Sequence, residues 1–542
     1  MTAIRYFVSV LAALIVLWSP LRAGDHAWSE PVLLVAGPSN TVTKISNLYL
    51  SQDGFLHIAW LATNNDTIAY FSFKDDNFSR PIFRLPVRRL RAFYPLSVIV
   101  DDDNLAHLFW IESGYGQDST YFEKMVHLEL PLFADAPYYG QWRVDTLRLA
   151  LPRYGIIDFS VCLSNNGALY LCWHEYLKME TLFLLSKPRG QSNWIIPAGP
   201  LFQNFVMENG GSAGNPSLVS GIFHDLYLTF IGHKDSDTIG GPQFMYLNFV
   251  YYAEKPLHTG RWHEPVLVHK DFACPAMFPI IMTDQQQVRH ILWLKLWDPH
   301  KSIVDSRLFY SFSRDGQHWS NARLLTDWIS WFDQPTMVID RHDIVHVFWS
   351  QFYSVEGHSE GIYYCYGRED AWSEPSLAFD YQIGKSYSIR NNPVLDDNDR
   401  LHLVLMTSYL NPDGKVYWRE LEYLWRDLNP TMVAEHLGYE AGADQQALVI
   451  KSYPNPFNKT VTLVVVPQKE CDVSLSIYNI AGQCVRKLWE ERTISGELSY
   501  QWDGTADTGT PLPSGIYYLL AKGRANTNSE PFQLCHKLVL IK

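Results

Sequence analysis

The chain has 542 residues, 47% of them apolar and 14% aromatic, enough to bury one large core and a second, smaller one. Lys plus Arg at 44 against Asp plus Glu at 57 give a net charge of −13, spread along the chain. This excludes a phosphate-tracking basic surface, and with it nucleic acid as a partner, and the apolar fraction excludes disorder as the dominant state.

The first residues, MTAIRYFVSVLAALIVLWSPLRAG, place an arginine ahead of an apolar run from about Phe7 to Trp18 and a small-residue cleavage position after Ala23. This predicts a cleaved secretory signal peptide over 1–23, because about a dozen apolar residues fall short of the roughly 20 that span a bilayer. Seven cysteines follow, with no CxxC or Cys/His spacing suited to zinc, so neither a metal nor another cofactor is expected. Cys162 and Cys172 flank one hairpin turn and are the pair that could bridge.

Between residues 45 and 410 one phrase recurs seven times: a polar turn, then a strand that usually closes on an aromatic. The copies are SQDGFLHIAW (51–60), DDDNLAHLFW (101–110), SNNGALYLCW (164–173), GIFHDLYLTF (221–230), TDQQQVRHILW (283–293), IDRHDIVHVFW (339–349) and DDNDRLHLVL (396–405). An apolar strand precedes each turn. A strand with alternating aromatics follows, as in RLFYSF (307–312) and KVYWRE (415–420), and a fourth strand begins at Phe78, Trp142, Trp194, Trp262, Trp319 or Trp372. Four short strands per repeat describe one blade of a β-propeller. The seventh repeat lacks its fourth strand, but Trp28-Ser29-Glu30-Pro31 near the start nearly repeats Trp372-Ser373-Glu374-Pro375. The predicted fold is therefore all-β: a seven-bladed β-propeller over 27–426, closed by an N-terminal strand at 28–34. Residues 427–450 lose the repeat and read as a linker, and 451–542 read as a small immunoglobulin-like β-sandwich.

Two resemblances follow from particular residues. Ser452-Tyr453-Pro454-Asn455-Pro456-Phe457-Asn458, the stretch around Ala481-Gly482, Trp502-Asp503-Gly504, Gly515-Ile516-Tyr517 and the terminal run to Lys542 resemble the type A C-terminal sorting domain of type IX secretion substrates. The Trp-Asp-Gly stretch is also similar to the immunoglobulin-like domain of flagellar hook-capping proteins. The resemblance implies export to the medium or outer surface of a Gram-negative-type bacterium, with the outer-membrane secretion machinery as partner and Tyr453, Pro454, Asn455, Pro456, Phe457, Gly482, Gly515, Tyr517 and Lys542 as the sorting motif. Ser313-Arg314-Asp315-Gly316-Gln317-His318-Trp319 resembles the Asp-box turn of sialidase-like propellers, one residue short of the usual pattern. That box builds a turn and carries no chemistry. Phe83-Arg84-Leu85-Pro86 is superficially similar to the arginine motif that opens sialidases, but it stands about ten residues ahead of the next strand, where the family places it at the strand itself.

By analogy with this fold, the loops entering first strands and leaving second strands meet at one mouth of the central channel. The ligand candidates there are Tyr94, Glu112, His174, Asn215, His233, Trp297, Trp331, Gln334, Gln351, Arg390 and Asn391. Glu175, Asp235, Asp298 and Asp333 are the carboxylates that could act as acid and base if two stood at a suitable separation. Rings stack on sugar faces while amides and acids bond hydroxyls, so the first expectation is a module that binds glycans or another extracellular polymer. A sialidase-like glycoside hydrolase or lyase and a structural or adhesive surface protein are the alternatives. The histidines at 57, 107, 290, 346 and 402 occupy one position in separate repeats and are expected to pack or hydrogen-bond and not to share a metal.

Overall fold

The computed structural model describes residues 28–428 and 448–541 apart from 63–66, 75–82, 87–95, 116–120, 133–142, 151–154, 177–180, 197–198, 203–213, 222–224, 233–248, 257–259, 272–275, 297–304, 331–333, 353–357, 381–384, 390–392, 456, 468–469, 480–482, 497 and 525–530. The expected signal peptide lies outside the described residues, as does most of the expected linker. Every regular element among the described residues is a strand, and no helix there is long and apolar enough to cross a membrane.

Residues 32–427 form seven antiparallel sheets. The first contains Leu56–Ala62, Thr67–Phe73 and Phe83–Pro86 with two short strands, Lys44–Ile45 and Tyr49–Leu50, on its inner side. The second runs Leu96–Val100, Leu105–Tyr115, Tyr121–Pro131, Arg143–Ala150; the third Gly155–Leu163, Leu169–Tyr176, Thr181–Lys187; and the fourth Gly214–Ser220, Leu226–Gly232, Phe249–Lys255, Val266–His269. The fifth is Ala276–Thr283, Arg289–Leu296, Asp305–Ser313, Arg323–Ser330, and the sixth is Thr336–Ile339, Val345–Gln351, Gly361–Arg368 with Ala371–Trp372 and Ser376–Asp380 on its outer side. In the seventh, Lys385–Ser388 and Val394–Leu395 flank Arg400–Leu410, which pairs with Val416–Asp427, which pairs in turn with Val32–Pro38 from the start of the chain. The first sheet's outer strand is Phe83–Pro86, beyond the start expected at Phe78, so the arginine motif considered above is an outer-strand segment, far from an inner strand. In the third sheet the described residues after Trp194 make a bridge, Ser186 to Ile195, and Leu201 N–H donates to the Leu182 carbonyl at 2.8 Å.

Middle strands such as Leu56–Ala62 and Val345–Gln351 are buried on both faces, which explains their near-continuous apolar runs. Seven separate cores account for this. They join the first and second sheets, second and third, third and fourth, fourth and fifth, fifth and sixth, sixth and seventh, and finally seventh and first, where Val404, Met406, Leu421 and Tyr423 meet Ile58, Trp60 and Phe71. The inner strands touch in the same order, ending with Val394–Leu395 against Tyr49–Leu50. Side chains stitch them: Asn47 Oδ1 accepts Val98 N–H at 2.9 Å, and Ser160 and Ser217 hydroxyls accept the amides of Leu218 and Ile281 at 3.0 and 3.2 Å.

The repeated phrase encodes a repeated bonding device. In the sixth sheet Asp340 Oδ1 accepts the amides of His342 and Ile344 at 2.8 and 2.9 Å, closing the turn, while Oδ2 lies 3.3 Å from His346 Nε2 and His346 Nδ1 lies 2.7 Å from the Tyr364 hydroxyl. Asp284, His290 and Tyr310 repeat this; His402 keeps the bond to Tyr423 but stands 3.5 Å from Asp396, and Ser51 replaces the acid beside His57 and Tyr70. The fourth turn residue adopts a left-handed conformation and is Gly54, Asn104, Gly167, Gln287, Asp343 or Asp399. The Trp-Ser pairs recur in the same way. Ser320 and Ser373 hydroxyls accept the amides of Phe312 and Tyr366 at 3.1 and 3.0 Å, Ser29 accepts that of Trp425 at 3.0 Å, and Trp319, Trp372 and Trp28 each pack on the preceding sheet, against Tyr252, Tyr310 and Phe379. In the Asp-box-like turn Asp315 Oδ1 accepts the amides of Gln317 and His318 at 2.8 Å.

Asp343 makes one of these turns sensitive to pH. Burial, then the nearby Asp284 carboxylate, raises its pKa to about 7 against the opposing pull of Arg368. An unfolded aspartate titrates near 4, so between about pH 4 and 7 the folded chain holds one proton more than the unfolded chain, and stability falls as pH rises through that window. Asp343→Asn, which keeps a residue tolerant of φ 61°, is therefore expected to stabilise the chain on the order of 2 kcal/mol at pH 8 and to leave it unchanged near pH 4, as read from urea midpoints.

Cys162 and Cys172 do not bridge, contrary to the possibility raised by sequence. The register sets Cys162 opposite Tyr170 and Cys172 opposite Ser160, a diagonal of about 7–8 Å that exceeds disulfide reach. Burial pushes the thiols of Cys162, Cys172 and Cys365 well up, whereas Cys484 is exposed. Peptide mapping after iodoacetamide at pH 8 is expected to find Cys484 alkylated in the native protein and the other three only after denaturation.

Residues 448–540 form two further sheets: Leu448–Tyr453, Val461–Pro467 and Leu498–Trp502, and Cys484–Ile494, Cys471–Asn479, Gly515–Arg524 and Pro531–Leu540. Their alternating residues meet in one core that includes Phe457, Leu475, Trp502, Tyr517 and Leu538.

Candidate functional site

Tyr94, His233, Asp235, Trp297, Asp298, Trp331, Asp333, Arg390 and Asn391 lie outside the described residues, as do Pro456, Gly482 and Lys542 of the expected sorting motif. The remaining mouth candidates sit at strand ends and fall into two groups. Glu112 and Gln351 are buried and engaged internally: Glu112 pairs with Lys124 directly across the hairpin at 2.7 Å and accepts Trp110 Nε1–H at 3.2 Å, while Gln351 donates to the Trp328 carbonyl at 3.1 Å. Gln334 is exposed.

His174 and Asn215 are brought together between the third and fourth sheets, whereas Glu175, next along the strand, points to the opposite face, toward the second sheet. Asp158 stands opposite His174, Asn215 Nδ2 donates to Asp158 at 3.0 Å, and Glu175 lies opposite Ile156, whose amide donates to Glu123 at 2.9 Å. Burial raises the Asp158 pKa against the Asn215 bond and lowers that of His174 to about 4, so His174 is a neutral imidazole. It lies against Gly214, where a Cβ would come within 2.8 Å of Nδ1. Glu175 is 0% exposed, which keeps its carboxylate from a substrate arriving from solvent and makes it a framing group, not an accessible acid or base. Phe457 and Tyr517 of the expected sorting motif are core residues of the C-terminal sheets, whereas Tyr453 is 57% exposed.

Sequence reasoning missed a second cluster, on the seventh sheet. Its strands Arg400–Leu410 and Val416–Asp427 are 11 and 12 residues long, and one face changes character along them. Leu401, Leu403, Leu405 and Leu424 on this face pack against the sixth sheet. Further toward the hairpin tip the same face carries Lys385, Thr407, Tyr409, Trp418, Glu420 and Glu422, and the cross-strand pairs Lys385 with Tyr409 and Tyr409 with Trp418 align them. Glu420 accepts the Tyr409 hydroxyl at 2.6 Å and Trp418 Nε1–H at 3.2 Å; Glu422 accepts the Thr407 hydroxyl at 2.5 Å; Lys385 Nζ lies 4.9 Å from the Tyr409 ring centre. Burial, then the Glu420 bond, pushes the Tyr409 phenol above its ordinary value, so it acts as a hydrogen-bond donor. The usable signal in the sequence was the alternation Trp418, Glu420, Glu422, one face of a strand running polar where its neighbours run apolar.

In the second sheet His127 stands where four other sheets place tyrosine, and His107, His127 and Glu129 offer three potential metal-ligand atoms within 4.8 Å. The hydrogen bonds assign these atoms otherwise. Trp194 Nε1–H donates to His127 Nδ1 at 3.2 Å, which puts the proton of a neutral ring on Nε2; that proton is directed at His107 Nδ1, 3.0 Å away, and His107 Nε2–H at Asp101, 3.1 Å away. Burial lowers both imidazole pKa values, and Lys187 pairs with Glu129. No ring lone pair is left to converge on a shared ion.

With this geometry in hand, the comparisons concern two parts of the chain. Residues 457–526 match the FlgD Ig-like domain, so the C-terminal sheets form an immunoglobulin-like domain. No curated protein matches the chain in sequence. Among solved structures the chain is similar to an ulvan lyase described as a new family of polysaccharide lyase, with 12% identity, 73% of this chain and 93% of that chain covered, and a TM-score of 0.50. Two others are an α-L-arabinofuranosidase of Fusarium graminearum with arabinobiose (13% identity, 73% and 97% covered, TM-score 0.39) and a Trypanosoma rangeli sialidase with sialic acid (12%, 91% and 93%, 0.39). The likeness to the lyase bears on fold alone: an all-β arrangement of the kind found in propeller proteins.

Proposed function

We propose that residues 27–426 form a seven-bladed propeller that binds glycan or a similar extracellular polymer, and that the chain is exported under direction of its C-terminal domain. The succession of seven inter-sheet cores, with the last joining the seventh sheet to the first, supports the ring. The observation that carries the binding reading is the edge of the seventh sheet, where rings, hydroxyls, carboxylates and an ammonium replace the apolar stripe on a half-exposed face. Such a set matches the alternating apolar faces and hydroxyls of sugars. Of the four acid/base candidates Glu175 alone is among the described residues, and it is enclosed.

A glycan array probed with the full mature chain, followed by a hydrolysis and elimination assay on each hit, tests this reading. Binding without turnover supports it, turnover replaces it with a hydrolase or lyase, and silence on the array favours an adhesive or structural protein. Export is tested separately by deleting residues 451–542: a truncated chain that still reached the medium or cell surface would remove the sorting role.

A further inference from the structure

We infer that the polar face of the seventh sheet, built by Lys385, Tyr409, Tyr417, Trp418, Glu420 and Glu422, is the binding surface and that its ligand is an uncharged oligosaccharide. This rests on the glycan-binding reading above and specifies both where the sugar sits and what charge it carries.

Tyr417 supplies the first argument. The register passes from Tyr409 opposite Trp418 to Leu410 opposite Val416, so Tyr417 is the extra residue of a bulge. A bulge re-aims the side chain it carries. Tyr417 is left 56% exposed with its ring centre 6.5 Å from that of Tyr409, edge to face. A large ring held half in water with its edge or face against a second ring offers an apolar plane to a sugar.

The second argument is charge. Glu420 and Glu422 are two positions apart on one face of a strand, about 7 Å from Cα to Cα, and each is already oriented by donors from the protein. A carboxylate has about four acceptor sites, so two donors to Glu420 and one to Glu422 leave acceptor capacity on both for hydroxyl donors. Among the described residues Lys385 is the cation aligned with them at this end of the sheet. Two carboxylates against one ammonium repel the uronate or sulfate groups of an acidic polymer and accept the hydroxyls of a neutral one, and the net charge of −13 acts in the same direction.

Affinity electrophoresis of the full mature chain in native gels tests this, with galactomannan, xyloglucan or mixed-linkage β-glucan as neutral polymers and polygalacturonate as the acidic one. Retardation by at least one neutral polymer is expected, with none by polygalacturonate. Tyr417→Ala and Glu422→Gln are each expected to weaken that retardation about tenfold, the effect of losing one stacking or one hydrogen-bonding group. Tyr417 is exposed, so its variant keeps the wild-type melting temperature and a loss of binding reads on the surface itself. Retardation by polygalacturonate would overturn this inference while leaving glycan binding standing. Neutral-polymer retardation unchanged in both variants would overturn the location alone, and mobility unaffected by every polymer would overturn both readings.

Discussion

Asp340→Ala is expected to lower the stability of the repeat region by about 3–4 kcal/mol, read as a shift of its urea midpoint at constant slope. The carboxylate accepts two turn amides through one oxygen and receives the proton of His346 through the other, and His346 is 0% exposed. Removing it leaves the Ile344 amide and an imidazole N–H buried without an acceptor, each costing about 1–3 kcal/mol. Asp340→Asn keeps the turn acceptor and is expected to cost about half as much. The pH dependence has a defined sign. Burial alone would raise the Asp340 pKa, but the His346 bond and the turn amides carry it below the ordinary aspartate value. Its contribution is therefore complete above about pH 4, the unfolded value, and is lost as pH falls through the lower folded one, so wild type and Asp340→Ala converge in acid.

Trp502→Ala is expected to cost about 3–5 kcal/mol within the C-terminal domain, enough to unfold or nearly unfold a unit of that size. Trp502 is 1% exposed, packs between Phe457 and Tyr517 at 5.4 Å from each ring centre, and donates to the Thr505 carbonyl at 2.9 Å. Its core contains residues of 448–540 alone, so calorimetry of the variant should show the low-temperature loss of one transition while that of the repeat region stays in place. Limited proteolysis should cut within 451–541 and spare residues 32–427.

Much of the architecture could be read from the chain because the same bonds are spelled the same way in each repeat. An Asp or Ser six residues before a histidine, a tyrosine on the next strand, and a Trp-Ser pair at the following turn are local signals, and the near-identity of Trp28-Ser29-Glu30-Pro31 with Trp372-Ser373-Glu374-Pro375 marked the strand at the other end of the chain. The candidate site was less legible, and the reason is register. Glu112 was taken as a loop residue because the strand was expected to end at Trp110; the strand continues to Tyr115 and places Lys124 directly opposite. Lys385, Tyr409 and Trp418 come from three strands, and only the pairing of all three sets them side by side. The disulfide possibility failed for the same reason, since equal flanking of a turn does not put two residues in one cross-strand pair.

The seventh sheet takes its outer strand from the start of the chain, and Ser29 meets Trp425 across 396 positions of sequence. During synthesis the leading strand must therefore wait, without its partner, until nearly the whole repeat region has been made. That is a long-range contact whose loop-closure entropy is met late, and such contacts slow folding. The final latch cannot engage on a partly made chain, so the seventh sheet is completed only once both ends of the repeat region have been made.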